Sequence, residues 1–204
     1  MFSLDEADKS IVAVYQSVIL CSKSKQKISQ HNIICADCHN NVIAYCHSKN
    51  TIQLLVATQS MKKNGHKVLT MENHEEITCI NLSDEYIAVG IYNNEMGTGE
   101  ARILSHGFEQ KCVFNLPSMP TAILLARKST QLFVGMINGT VIQLGIDTEN
   151  NEFNRKISYI HFGTEGTNLR FIRNPNDHNS FFFLDKKIYF YSKGFLHETT
   201  FSHV

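Results

Sequence analysis

The chain contains no tryptophan, and proline and glycine are sparse, at 3 and 11 of 204 residues. So little Pro and Gly excludes collagen-like and low-complexity architectures, while 43% hydrophobic against 19% charged residues place the sequence among ordinary globular proteins. Excess charge of either sign is also missing. Lys plus Arg and Asp plus Glu stand at 19 each, so no net field draws the chain to a nucleic-acid backbone or an anionic membrane. The nearest thing to a basic patch, Lys23, Lys25 and Lys27, reads as a solvated loop. Long apolar runs are absent: the best, Ile11 to Leu20, is broken by Gln16 and Ser17 and reaches about half the length that spans a bilayer. Met1 is followed by acidic Asp5, Glu6 and Asp8 rather than by the basic start of a secretory signal. A cytosolic chain without a membrane anchor is therefore expected, its six cysteines reduced. The Asn-x-Ser/Thr sequons at Asn81 and Asn138 then read as chance matches.

Signatures of catalysis are missing too. Ten histidines are scattered without a His-Glu-x-x-His pair, and there is no Gly-rich phosphate loop, Gly-x-Ser-x-Gly elbow or spaced carboxylate pair. One cluster invites chemistry. Cys35-Ala36-Asp37-Cys38-His39 has the spacing at which two thioethers and a proximal imidazole hold a c-type haem, and with Cys46 and His47 it offers four soft ligands for zinc. Haem attachment, however, belongs to an oxidising compartment. Side chains on a strand alternate faces, so Cys46 and His47 point apart. The cysteines are accordingly expected as buried free thiols, with Cys35 facing the core and a turn at Cys38 and His39. No catalytic, cofactor-binding or metal-binding residue is nominated, no cofactor is expected, and the chain is not expected to be an enzyme.

What the sequence has in abundance is short β-rich runs bounded by Asn, Asp, Gly and Ser, recurring in pairs. Ile33 to Asp37 goes with Val42 to Cys46, and Ile77 to Asn81 with Tyr86 to Ile91. Thr121 to Ala126 goes with Gln131 to Met136, and Asn168 to Ile172 with Ser180 to Leu184. The second members begin at intervals of 86−42 = 44, 131−86 = 45 and 180−131 = 49 residues, against about 40 to 50 for one blade of a propeller. A tight polar turn then leads to a third strand at Thr51 to Val56, Thr140 to Leu144 and Ile188 to Tyr191. A fourth is placed at Val68 to Met71, Lys111 to Asn115, Lys156 to Ile160 and Phe195 to Thr200. Runs such as Phe181 to Leu184 are apolar without alternation, as strands covered on both faces require. Helical periodicity is weak everywhere, only Met1 to Ser10 admitting a short turn of helix. The expected fold is all-β, an incomplete WD40-like β-propeller of about four four-stranded blades filling residues 1–204. Its blades lie near 1–60, 61–106, 107–148 and 149–192, with the start of a further blade at 193–204.

Asn73 to Gly90 resembles a WD-repeat unit. His74 lies shortly before a strand, placed to brace the blade by hydrogen bonding, and Ser83-Asp84 precedes a strand ending in Ala88-Val89-Gly90. Asn73 stands where Gly is usual, and with no Trp the Trp-Asp ending is missing from every unit. From about Glu75 to Val204 the order of features is similar to the N-terminal propeller of the vacuolar protein sorting-associated protein eleven family. The similarity rests on the hairpin Tyr92 to Glu100 leading into Ala101-Arg102-Ile103-Leu104, and on Leu132 to Val141 followed by Gly145-Ile146-Asp147. It continues in Thr167 to Phe171, Phe181-Phe182-Phe183-Leu184 and Ile188-Tyr189-Phe190-Tyr191. The resemblance implies a non-catalytic subunit, or a fragment of one, of the HOPS and CORVET vesicle-tethering complexes, cytoplasmic and peripheral on endosomes and lysosomes or vacuoles. Other tethering subunits, and small GTPase or SNARE machinery, are the implied partners; nucleic acid and direct membrane insertion are not expected. Family members continue into a solenoid and a RING, so a truncated form is expected here. The blade pattern alone also suits a generic WD-repeat adaptor, such as a ubiquitin-ligase substrate receptor.

Overall fold

The computed structural model describes the backbone of 2–5, 10–15, 18–21, 33–39, 42–56, 67–125, 131–147, 150, 152–161, 170–173, 181–184, 188–192 and 195–199, and the side chains of 33–39, 42–54, 67–125, 131–147 and 150. The strands among these residues form five antiparallel sheets. The first sheet has three strands, β1 (Phe2–Asp5), β2 (Ser10–Tyr15) and β3 (Val18–Cys21). The second comprises β4 (Cys35–His39), β5 (Val42–Ser48), β6 (Thr51–Val56) and β7 (Lys67–Thr70), and the third β8 (Glu75–Leu82), β9 (Tyr86–Asn93), β10 (Thr98–Ser105) and β11 (Gln110–Leu116). The fourth comprises β12 (Pro120–Leu125), β13 (Gln131–Met136), β14 (Thr140–Asp147) and β15 (Glu152–His161), and the fifth β16 (Arg170–Arg173), β17 (Phe181–Leu184), β18 (Ile188–Ser192) and β19 (Phe195–Thr199). Each sheet is a meander in which spatial order follows chain order.

No helix occurs among the described residues. The short helical turn expected in Met1 to Ser10 gives way to β1 and the start of β2, where Ile11, Val12 and Val14 are stiff β-branched residues that favour extended backbone. The turn expected at Cys38 and His39 is likewise strand, since β4 runs through His39 with every residue buried. The divisions near 60, 106, 148 and 192 all fall between the third and fourth strands of a sheet, and β19 is hydrogen-bonded to β18, closing the fifth sheet rather than opening another. Hydrogen bonding therefore groups each outer strand with the three strands before it.

First strands of successive sheets lie side by side: β1 against β4, β4 against β8, β8 against β12 and β12 against β16. The sheets thus stack face to face, with fourth strands farthest from the line of first strands. The third sheet shows why its sequence abandons polar alternation. Ile77, Ile80, Leu82, Ile87, Val89, Ile91 and Leu104 face the second sheet in one core with Ala44, Cys46, Ile52 and Leu54. Cys79, Ala88, Ala101, Ile103, Cys112 and Leu116 face the fourth in another, with Ile123, Leu132, Val134, Ile142 and Leu144. Ile87, Ala88 and Val89 alternate between the two cores and all are fully buried. Each large side chain so placed contributes about 1.5–3 kcal/mol.

Close sheet-to-sheet approach is secured at Gly99, where β10 meets the β11–β12 connection. A Cβ there would overlap the carbonyl oxygen of Ser118 and come within 2.8 Å of Pro120 Cδ. Gly99→Ala is expected to destabilise the fold by about 1–3 kcal/mol in urea unfolding, because backbone and a proline ring must yield. Gly107→Ala, whose new atom meets only Ser105 Oγ at 3.4 Å, is expected to stay within about 0.5 kcal/mol of the parent chain.

Candidate functional site

A polar ladder runs through the first strands. Asp37 is the cross-strand partner of Ala44, Asn81 of Ala88 and Leu125 of Leu132, three equivalent positions 44 residues apart. Asp37 Oδ2 accepts hydrogen bonds from Asn81 Nδ2 and from the Leu82 amide, both at 2.7 Å, and Asn81 Oδ1 accepts one from the Leu125 amide at 2.8 Å. Both side chains are buried. A carboxylate taken out of water requires such donors, and these two come from the neighbouring sheet. The ladder therefore ties the second sheet to the third and the third to the fourth. Asn81 is a bracing residue inside the core, which removes it as a glycosylation acceptor.

The start of each first strand repeats a second device. β8 is bulged between Ile77 and Cys79, and Thr78 Oγ1 donates to the Gly90 carbonyl at 3.1 Å. β12 is bulged between Pro120 and Ala122, and Thr121 Oγ1 donates to the Gly135 carbonyl at 3.3 Å. In the second sheet the Ile34 amide donates to the Cys46 carbonyl at 2.8 Å. Two threonines, through their hydroxyls, and an isoleucine, through its amide, thus occupy one structural position.

At one end of the stack, the far ends of the first strands are joined by His39 and Asp84, whose Nε2 and Oδ1 lie 2.7 Å apart across the second and third sheets. Beside them His106 Nε2 donates to the Ser83 carbonyl at 3.1 Å, and Lys67 Nζ donates to the His106 carbonyl at 3.3 Å. Burial, followed by the charges of His39 and Lys67, pushes the His106 imidazole below its ordinary range and favours its neutral form, although the Ser83 bond works the other way. Phe108 adopts a left-handed φ of 67° in the adjoining turn and packs against the core between these sheets.

The other end is built from the β5–β6, β9–β10 and β13–β14 turns and the connections that enter β8 and β12. The Met71 amide donates to the Asn50 carbonyl at 2.7 Å, the Asn94 amide to the His74 carbonyl at 3.0 Å and the Ile137 amide to the Met119 carbonyl at 2.9 Å. His74, expected to brace its blade through the ring, does so through this carbonyl; its ring sits 3.4 Å from the exposed Glu72 carboxylate. Asn93 Oδ1 accepts from the Glu95 and Met96 amides and Gly97 takes φ 69°, which presents Met96 at the tip, 74% exposed. Ile34 and Ile137 are also exposed here, whereas the other large exposed apolar residues described, Val68 and Val113, lie on outer strands. Beneath this rim Arg102 pairs with Glu75 and with Glu100 at 2.7 Å. Burial pushes the Glu75 carboxyl up, but the hydrogen bond and charge of Arg102 more than offset it and hold the group below the usual range.

The Cys35-to-His39 cluster does not converge. Cys35 pairs with Cys46 across the sheet and Cys38 with Ile43, and among the described residues no group of three His, Cys, Asp or Glu side chains is placed to hold a metal. Cys35, Cys38, Cys46, Cys79 and Cys112 are free thiols.

No known protein family and no curated protein matches the sequence. Solved structures do match, 761 chains in number. One is the β-propeller domain of Cps50 (Swd1) from Myceliophteria thermophila, with a TM-score of 0.64 over 98% of this chain and 70% of that one, at 10% identity. The fold is a β-propeller. Another match, the computationally designed Ika4 protein, gives a TM-score of 0.56 at 15% identity, covering 88% of this chain and 98% of that one. At such identities the likeness concerns the fold alone. Its sheets, one of three strands and four of four, are each ordered from the inner strand outward.

The ladder predicts an uneven mutational response. Asp37→Ala strands the Asn81 amide and the Leu82 N–H without their acceptor and is expected to cost about 2–4 kcal/mol in urea unfolding. Glu109→Ala, an exposed partner of Lys111, is expected to change stability by less than about 0.5 kcal/mol.

Proposed function

We propose that this chain is a non-catalytic docking scaffold, and that the propeller end carrying Met96 receives a protein partner. The observation that supports this most directly is the concentration of exposed apolar side chains, Ile34, Met96 and Ile137, on turns that one end of the stack holds together. Exposed methionine adapts to varied apolar surfaces, and an apolar centre with a polar rim is the ordinary anatomy of an interface. The opposite end, by contrast, engages His39, Asp84, His106 and Lys67 in bonds between the second and third sheets.

The partner class follows from the resemblance of Glu75 to Val204 to the tethering-subunit propellers. On that reading the chain is a subunit, or a fragment of one, of an endosomal or lysosomal HOPS or CORVET assembly, recruited to the membrane from the cytoplasm by other subunits. No helix among the described residues is long and apolar enough to cross a membrane. Immobilised full-length chain is expected to capture purified HOPS or CORVET subunits in a pull-down. Met96→Asp combined with Ile137→Asp should weaken that capture about tenfold or more, while Val113→Asp on outer strand β11 should leave it unchanged. Capture of no tethering subunit would remove the partner assignment; capture indifferent to Met96 and Ile137 would move the docking surface elsewhere.

A further inference from the structure

Cys35 and Cys46 are directly opposed partners on β4 and β5, and both side chains are buried. Antiparallel partners hold their Cα atoms about 4.5 or 5.5 Å apart according to register, and both separations lie inside the range of about 4.4–6.8 Å that a disulfide spans. The neighbouring sheet shows where the sulfur points. Its equivalent pair is Cys79 and Gly90, and a Cβ added at Gly90 would overlap Cys79 Sγ. In the third sheet that space is left open by glycine. In the second it is filled by a second thiol.

We propose that Cys35 and Cys46 form a modification site, a dithiol that a small peroxide converts reversibly into an intrachain disulfide. This inference is independent of the docking surface and of the partner class. Cys35 is 5% exposed and Cys46 wholly buried, so Cys35 is the sulfur that meets the oxidant. It donates two electrons to the O–O bond of hydrogen peroxide, which breaks; one oxygen stays on sulfur as a sulfenic acid and the other leaves as water with the thiol proton. Cys46 sulfur then attacks Cys35 sulfur, the S–O bond breaks, and the departing hydroxide takes the Cys46 proton to become the second water. Two thiols and one peroxide give one disulfide and two waters. The site favours an oxidant the size of water, since a bulky disulfide reagent has no access to a core position. Donation of the Cys35 S–H toward Cys46, followed by burial, holds the Cys35 thiol well above its ordinary range, so the reaction is slow at neutral pH and accelerates as pH rises. The new bond fastens β5 to the strand that carries Asp37, the anchor of the polar ladder.

The test exposes the full chain, natively folded, to increasing hydrogen peroxide, followed by alkylation of remaining thiols and peptide mapping. Met96, 74% exposed, reports the dose by conversion to its sulfoxide. The expected product is a Cys35–Cys46 linked peptide, about 2 Da lighter than the two thiols, that dithiothreitol returns to free thiols. In Cys46→Ala the linked peptide is absent and Cys35 accumulates as a sulfenic acid, trapped by dimedone added with denaturant once the peroxide has been removed. Recovery of Cys35 and Cys46 as free thiols at a dose that has fully oxidised Met96 overturns the proposal, as does linkage of Cys35 to Cys79 instead.

Discussion

The burial of one carboxylate sets the geometry of the stack. Asp37 lies inside the core, and the Asn81 amide and the Leu82 N–H of the next sheet help to compensate its desolvation. Docking of β8 beside the first strand of the second sheet therefore offsets part of the cost of burying Asp37. The same relation repeats one sheet on, where Asn81 accepts from the Leu125 amide. Hydrophobic burial supplies most of the stabilisation but is indifferent to small sliding. The ladder supplies direction, because a shift of one residue along β8 would exchange Leu82 for a neighbour and break the pairing.

This division explains how the two ends of the molecule differ. At one end His39, Asp84, His106 and Lys67 are bonded between the second and third sheets, and the left-handed Phe108 is held down by the core. At the other, backbone bonds such as Asn94 to His74 and Ile137 to Met119 fix the turns while leaving Met96 and Ile137 outward. Rigid turns that present apolar tips lose little conformational freedom on binding, which is the physical advantage of a scaffold over a flexible segment.

Much of the fold was legible in the sequence because both faces of each blade are buried. The near-continuous apolar runs at Ile77 to Asn81 and Tyr86 to Ile91, and their return after about 45 residues, report that burial directly. The N-terminal strands were less legible, since Met1 to Ser10 has acidic residues where a strand signal is sought. The extent of β4 was misread because Cys38 and His39 are reactive or polar and invite a turn, yet His39 finds a partner on the neighbouring sheet. The ladder itself left a faint trace: Asp37 and Asn81 are polar residues in apolar strands at one repeat spacing. Nothing in the sequence alone says that an Asp in one blade bonds an amide in the next. Met96 was visible within a long hairpin, but its exposure follows from the Asn93 turn.

Amide hydrogen exchange at Leu82 and Leu125 tests the stacking most directly, because these N–H groups find their acceptors on the neighbouring sheet's side chains. The account predicts slow exchange at both in the parent chain, and in Asn81→Ala a large acceleration at Leu125 while ladder amides within β9 and β10 keep their protection. Exchange at Leu82 and Leu125 as fast as at exposed turn amides would contradict it, since blades not joined through Asp37 and Asn81 would not be stacked in this way.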